Sequence, residues 1–369
     1  MKKTDNYYPE LDTLRFLAFL LVLIHHAHYV KTITAWRIVS EYGWMGVDLF
    51  LCLSAFLFTR LLFTEFKAMG NINIRNFYIR RAFRIWPLYL LFFGIMTALS
   101  IQEQGWDSSI ARRALGMLTF TDNIFASTMG YNDVIFFSSH LWTISYEEQF
   151  YMVIPWVLRK FYQLRKSTTI IAVAIAVLVG SLIRAVLIYN KASHPVIWVL
   201  PISHFESIIG GKIIGLGLLD KYLEKIPSPL LLIGGVLALW QVCLLPNVIE
   251  IQWKLMITYP LLGLGMSLII FAVMQKRIGF LSILFRNQML GYLGKISYGL
   301  YVYHLMGLNI GYRITEMFIA SNRPLAYPAA GILVGLFVTI LVSTASYQLF
   351  EKPFLRIKER FALIESRPI

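Results

Sequence analysis

Charge and cysteine are what this chain of 369 residues has least of. Only 15% of the residues are charged while 57% are hydrophobic, and the mean hydropathy is +0.63. A soluble domain carries closer to a quarter charged residues, so a water-exposed globule is excluded and a polytopic membrane protein is expected. The two cysteines, Cys52 and Cys243, both lie in apolar runs, which leaves no disulfide framework and no cysteine metal site. Acidic residues are scarce too: 20, against 34 lysines and arginines, for a net charge of +14. In a soluble protein that excess would suggest nucleic acid. Here it is read first as loop topology, and no nucleic-acid partner is expected. Internal repeats, low-complexity tracts, and Walker, GxSxG and dinucleotide fingerprints are all missing. The histidines, glutamates and Asp48 follow no spacing such as HExxH, so no metal is expected.

What the chain does have is apolar length. Ten runs of about 17 to 25 residues, long enough to cross a bilayer, fall near 11–30, 44–64, 83–101, 141–159, 168–189, 196–219, 229–246, 254–274, 289–310 and 325–349. They predict an all-α transmembrane bundle over residues 1–350, followed by a short basic tail, 351–369. Lys2 and Lys3 before an apolar run imitate a signal peptide, but Arg15 interrupts the run and no small-x-small cleavage site follows, so it reads as a retained first span. With both termini inside, segments such as that holding Arg75, Arg80, Arg81 and Arg84 give the inner side nearly three times the basic residues of the outer loops. The positive-inside rule therefore predicts cytoplasmic termini. The longest outer segment, 102–140, contains "ARRALGMLTFTDNIF", whose spacing predicts a helix on the membrane surface.

Ionisable residues at membrane depth cost several kcal/mol unless paired or facing a wet cavity, which makes them functional candidates. The first span, "LDTLRFLAFLLVLIHHAHY" (11–29), holds Asp12, Arg15, His25, His26 and His28. Arg15 and His26 are eleven residues apart, about 1100° and roughly 16 Å of rise, so they share one helix face at two depths. His25 and His28 point elsewhere. His26 is either an interfacial histidine bonded to a neighbouring helix or a general base.

A second cluster, "NFYIRRAFRIWPLY", brings Arg80, Arg81 and Arg84 to the start of the third span, as i,i+3 and i,i+4 neighbours. Such a fork holds phosphates bidentately; the plainer reading is anchoring to anionic lipids. Pro87 is placed to kink this helix. The third cluster, "SSHLWTISYEEQFYMVIPW", sets Glu147 and Glu148 beside Tyr146, Gln149 and Tyr151. Adjacent glutamates point about 100° apart, so one at most faces a given site. They are read as structural ion-pair partners or as groups that orient a histidine or substrate. Asp48 within the second span is a partner for Arg15, His26 or the arginines. Ser54 is a helix-backbone hydrogen bonder. His304, His204 and Glu206 are buried structural residues or line the same cavity.

Taken together, "LDTLRFLAFLLVLIHHA", "GVDLFLCLSAF", "RRAFRIWPLYL", "HLWTISYEEQFYMVIPW", "LGKISYGLYVYH" and "SYQLFEKPF" resemble, in order and spacing over nearly the whole chain, the integral-membrane acyltransferase family 3. The resemblance implies transfer of an acyl group, by default acetyl, from acyl-CoA to a sugar of a cell-surface glycan. It casts His26, with Arg15 eleven residues before it, as the essential histidine, and Arg81 and Arg84 as ligands for the coenzyme A phosphates. Ala55 stands where relatives usually have glycine, and Tyr146 where a small apolar residue is common. Some relatives carry a fused periplasmic SGNH-type domain, absent from this stretch, so the resemblance implies completion of transfer alone or with a separate periplasmic transferase.

The expected scheme gives His26, Arg15, Glu147, Glu148 and Asp48 catalytic roles, Arg80, Arg81 and Arg84 the donor phosphates, and Tyr146, Gln149, Tyr151 and His304 the substrate lining. Acetyl-CoA is the expected donor, and a surface or lipid-linked glycan, first lipopolysaccharide O-antigen and then peptidoglycan or exopolysaccharide, the acceptor. The expected location is the bacterial inner membrane, with lipids as partners. Direct transfer and a transient acyl-enzyme both remain open. The rivals are a multi-span carrier or glycolipid flippase, which predicts flux without acyl turnover, and a structural envelope subunit.

Overall fold

A computed structural model describes residues 8–27, 33–131, 134–275, 279 and 281–363, and among these residues every regular element is helical. His28, and Lys2, Lys3, Lys31, Lys276 and Arg277 used for topology, lie outside the described residues. In chain order the principal helices are α1 (Pro9–His26), α2 (Met45–Met69), α3 (Ile74–Gln104), α4 (Ser108–Leu118), α5 (Asp122–Met129), α6 (Trp142–Phe161), α7 (Lys166–Tyr189), α8 (Glu206–Gly215), α9 (Ser228–Leu244), α10 (Leu255–Met274), α11 (Gln288–Lys295), α12 (Ser297–Glu316) and α13 (Ala326–Ser346).

Among the described residues, five helices are long and apolar enough to cross a membrane: α2, α3, α7, α10 and the continuous helical stretch from Ala326 to Glu359. The other expected spans fall short for physical reasons. α1 carries Glu10, Asp12 and Arg15, and α6 carries Glu147, Glu148, Arg159 and Lys160, so the charges that mark them as candidates also lower their hydropathy. α9, Ser228–Leu244, is a shorter apolar helix of 17 residues.

Two expected runs are interrupted. Over 196–219 a single turn at Val196–Val199 gives way to extended backbone at Leu200 before α8 begins. Leu200 precedes Pro201, whose ring disfavours helical geometry in the residue before it. The bared backbone is satisfied by protein: Arg184 donates to the Ser203 carbonyl (3.2 Å), Tyr146 to that of His204, and the Ser203 hydroxyl to Ile197 (3.0 Å). Non-helical backbone at membrane depth requires such partners. The run 289–310 breaks at Ile296 into α11 and α12. The expected surface helix resolves into α4 and α5, separated at Phe120, which has φ of 53°. α3, by contrast, runs through Pro87 for 31 residues, about 46 Å, and so carries Arg80, Arg81 and Arg84 within one continuous helix.

The chain forms two compact units. One comprises Tyr8–Phe50 and Gly279–Phe354. In it α12 and α13 cross at small residues, Gly311 lying against the Gly335 backbone, the close approach that drives helix association where lipid supplies no hydrophobic gradient. α1 meets α11 as closely: a Cβ on Gly294 would fall on the Asp12 carbonyl oxygen. Gly294→Ala is expected to destabilise the protein by about 1–3 kcal/mol, read as a lower thermal midpoint of the purified protein; an unchanged midpoint would disprove this contact.

The other unit comprises Leu51–Ile278 and the segment from Leu355. Here α8 lies on α2 at Gly211, where an added Cβ would come 3.0 Å from the Ala55 methyl. The methyl at position 55 is therefore accommodated by a glycine opposite it. The start of α3 is tied to the end of α2 by Glu65, which accepts from the Asn73 amide (2.6 Å) and from Arg80 (3.2 Å).

Candidate active site

In the first unit the chemistry gathers at the end of α1. His26 is the last helical residue and is exposed, while His304 on α12 is fully buried. The Nδ1 of His26 lies 2.9 Å from the Val22 carbonyl oxygen and 3.3 Å from His304 Nε2. A carbonyl only accepts, so in the neutral ring Nδ1 carries the proton and Nε2 holds the lone pair. His304 Nδ1 sits 2.5 Å from the Tyr301 carbonyl, which places its proton there and turns an unprotonated Nε2 towards His26. The two rings are 4.9 Å apart at 63°, and Phe19 meets His304 edge-on. His25, one residue earlier, is tied to the Ser40 carbonyl at 2.7 Å. Of these two neighbours, held alike through Nδ1, His26 is exposed and His25 half-buried.

Arg15 forms an ion pair with buried Asp12 at 2.8 Å, one turn back on α1. With about 16 Å of helix between them, Arg15 and His26 cannot both touch one reacting atom; Arg15 suits a distant part of an elongated ligand. Asp48 is completely buried near the start of α2.

In the second unit the arginines separate by role. Arg80 is buried and bonded to Glu65 and to the Phe361 carbonyl (3.0 Å). Arg81 lies 4.1 Å above the Phe58 ring, and its buried Nε has no hydrogen-bond partner among the described residues. Tyr151 stands edge-on to Phe58 at 4.9 Å and donates to Glu147; Tyr151 and Glu147 both lie within electrostatic range of Arg81. Glu148 is buried: one carboxylate oxygen accepts from Trp86 at 3.3 Å, while the other has no partner among the described residues. The glutamates thus take different hydrogen-bond partners, Glu147 Tyr151 and Glu148 Trp86, with Arg81 within electrostatic range of both.

Two expected lining residues have hydrogen-bond partners within the protein. Tyr146 donates to the His204 carbonyl. Gln149 exchanges hydrogen bonds with Asn123 at 2.7 and 3.1 Å and donates to Phe120. His204 is stacked on Trp198 at 4.4 Å, and Glu206 is paired with Arg184, so both hold the break before α8.

Sequence reasoning overlooked one buried pair, Arg113 with Asp122 at 2.7 Å, which joins α4 to α5. Burial pushes the Asp122 carboxyl up, and the Arg113 guanidinium opposes that shift. Trp86 and Glu65 were also overlooked; Glu65 had a signal, since a carboxylate late in an apolar helix needs a cation. Among the described residues no group of three or more histidines, cysteines, aspartates or glutamates is placed to hold a metal ion.

Comparison with known proteins places these groups in context. The family model described as an acyltransferase domain matches residues 8–347. A provisionally named O-acetyltransferase of Staphylococcus aureus (strain COL) is 24% identical over 99% of this chain and 60% of its own length. The peptidoglycan O-acetyltransferase OatA of Listeria monocytogenes is 21% identical over 96% of this chain and 57% of its own length. YrhL of Bacillus subtilis, provisionally named a peptidoglycan O-acetyltransferase, is 25% identical over 94% and 55%. The chain thus spans a little over half the length of these relatives. No solved structure matches it.

Proposed function

The chain belongs to acyltransferase family 3, and on that premise we propose that it is an integral-membrane O-acyltransferase that moves acetyl from acetyl-CoA to a sugar hydroxyl of a cell-surface glycan. The observation that carries the proposal is the exposed His26, whose Nδ1 proton is fixed so that Nε2 is the basic nitrogen. In the reaction Nε2 takes the proton of the acceptor hydroxyl while its oxygen bonds to the acyl carbon. The carbon–sulfur bond breaks, and the imidazolium returns the proton to the departing sulfur. Arg81 and Arg84 would hold the donor's phosphates: Arg81 has an unpartnered Nε and is braced on an aromatic face, which suits bidentate oxyanion binding. Arg15, with an ion-paired guanidinium far along α1, is assigned to the donor's extended arm. The names of two relatives weigh for peptidoglycan ahead of lipopolysaccharide as acceptor. A bacterial cytoplasmic membrane, with the donor on its inner side, fits both acetyl-CoA and the positive-inside pattern.

The test incubates purified protein in liposomes with acetyl-labelled acetyl-CoA and, separately, peptidoglycan fragments and lipopolysaccharide. Label released from the glycan by mild base identifies an ester and its acceptor. Label in neither glycan, with the glycan itself crossing the bilayer, would replace this reading with a carrier. Arg84→Ala is expected to raise the KM for acetyl-CoA about tenfold or more, since charge-assisted bonds contribute about 1.5–3 kcal/mol, with kcat little changed. An effect on kcat alone would remove Arg84 from donor binding.

A further inference from the structure

The buried histidine behind His26 has no part in the scheme above. His304 is fully buried on α12, and its Nδ1 proton is taken by the Tyr301 carbonyl at 2.5 Å. That bond leaves its Nε2 an acceptor, 3.3 Å from His26 Nδ1. Val22 presents a second acceptor to the same atom at 2.9 Å. Two acceptors on one nitrogen demand a donor there, so His26 is held with its proton on Nδ1 and its lone pair on Nε2. Val22 alone would permit this tautomer, but it belongs to the same helix turn and leaves the ring free to swing. His304 comes from another helix and is itself gripped by Phe19 and Tyr301, with ring centroids 6.4 and 5.5 Å away. It fixes the plane of the imidazole as well as its proton.

We infer that His304 is a positioning residue for acyl transfer, which holds His26 in the base-competent tautomer and accepts from Nδ1–H when Nε2 takes the substrate proton. The role is that of a group which orients and steadies a reactive histidine without touching substrate, filled here by a neutral imidazole where a carboxylate commonly serves. Charge considerations favour it: a neutral acceptor beside His26 avoids burying a second full charge. This inference rests on the proposed function and refines it.

The test compares wild type with His304→Gln, His304→Phe and His304→Ala in the same liposome assay, with thermal unfolding of each. Glutamine can set a carbonyl oxygen near the place of Nε2, whereas phenylalanine fills the volume without an acceptor. His304→Phe and His304→Ala are expected to lose about 10–100-fold in kcat, the range seen when the partner of a functional histidine is removed. The KM for acetyl-CoA should stay within about twofold, and His304→Gln should stay within a fewfold of wild type in kcat. A glutamine variant that is folded yet as slow as the phenylalanine variant overturns the inference, as does a folded phenylalanine variant with full kcat. A loss expressed only in KM overturns it too. Wild-type turnover with unaffected variants sinks this inference alone, whereas absence of wild-type turnover sinks the acyltransferase reading on which it rests.

Discussion

His26→Ala is expected to lower acetyl transfer by about 10²–10⁴-fold, the usual contribution of a positioned general base, while equilibrium binding of acetyl-CoA stays within about twofold of wild type. The asymmetry follows from the geometry. His26 presents one basic nitrogen from the end of α1, with the other bound to Val22 and His304, and it contributes no fixed charge with which to hold a phosphorylated donor. Its removal should therefore leave the ground state alone and raise the barrier. Equal losses in binding and turnover would instead mark His26 as a donor ligand. His25→Ala provides the control: its half-buried imidazole ties α1 to the Ser40 carbonyl through Nδ1, so any loss should appear in stability before it appears in transfer.

The second large effect concerns stability. Arg184 is completely buried, paired with Glu206 and lying 4.8 Å beneath the Tyr259 ring. Glu206→Ala leaves that guanidinium without its counter-charge and should cost about 3–5 kcal/mol, the range for breaking one side of a buried pair. The double replacement Arg184→Met with Glu206→Leu should recover much of the loss, because it removes the stranded charge along with its partner. Thermal unfolding of purified variants measures both; a Glu206→Ala protein as stable as wild type would show that the pair does not hold the break between Leu200 and α8.

Several features were readable from residues alone because they depend on short-range geometry. The apolar runs located most of the helices, among them α1, which carries both Arg15 and His26. The 100° offset of adjacent residues correctly separated Glu147 from Glu148. What stayed hidden depends on partners far apart in sequence. Nothing near His304 shows that it meets His26, 278 positions away, and nothing near Arg80 shows that Glu65 and the Phe361 carbonyl accept from it. Hydropathy also passed over the break at Leu200. Pro201 sits among apolar residues, and the charged groups that repair its backbone, Arg184 among them, come from another helix. Tyr146 and Gln149 stand out as polar residues in an apolar helix, but their partners, the His204 carbonyl and Asn123, come from elsewhere in the chain.

The most direct measurement is release of free coenzyme A by purified protein in liposomes, followed with and without a glycan acceptor. The account predicts release that depends on the acceptor, matches the base-labile ester formed mole for mole, and is lost with His26→Ala. Release that is equal without acceptor or survives that substitution would contradict the assignment of His26 as the base, and glycan moved across the bilayer unmodified would contradict the reaction itself.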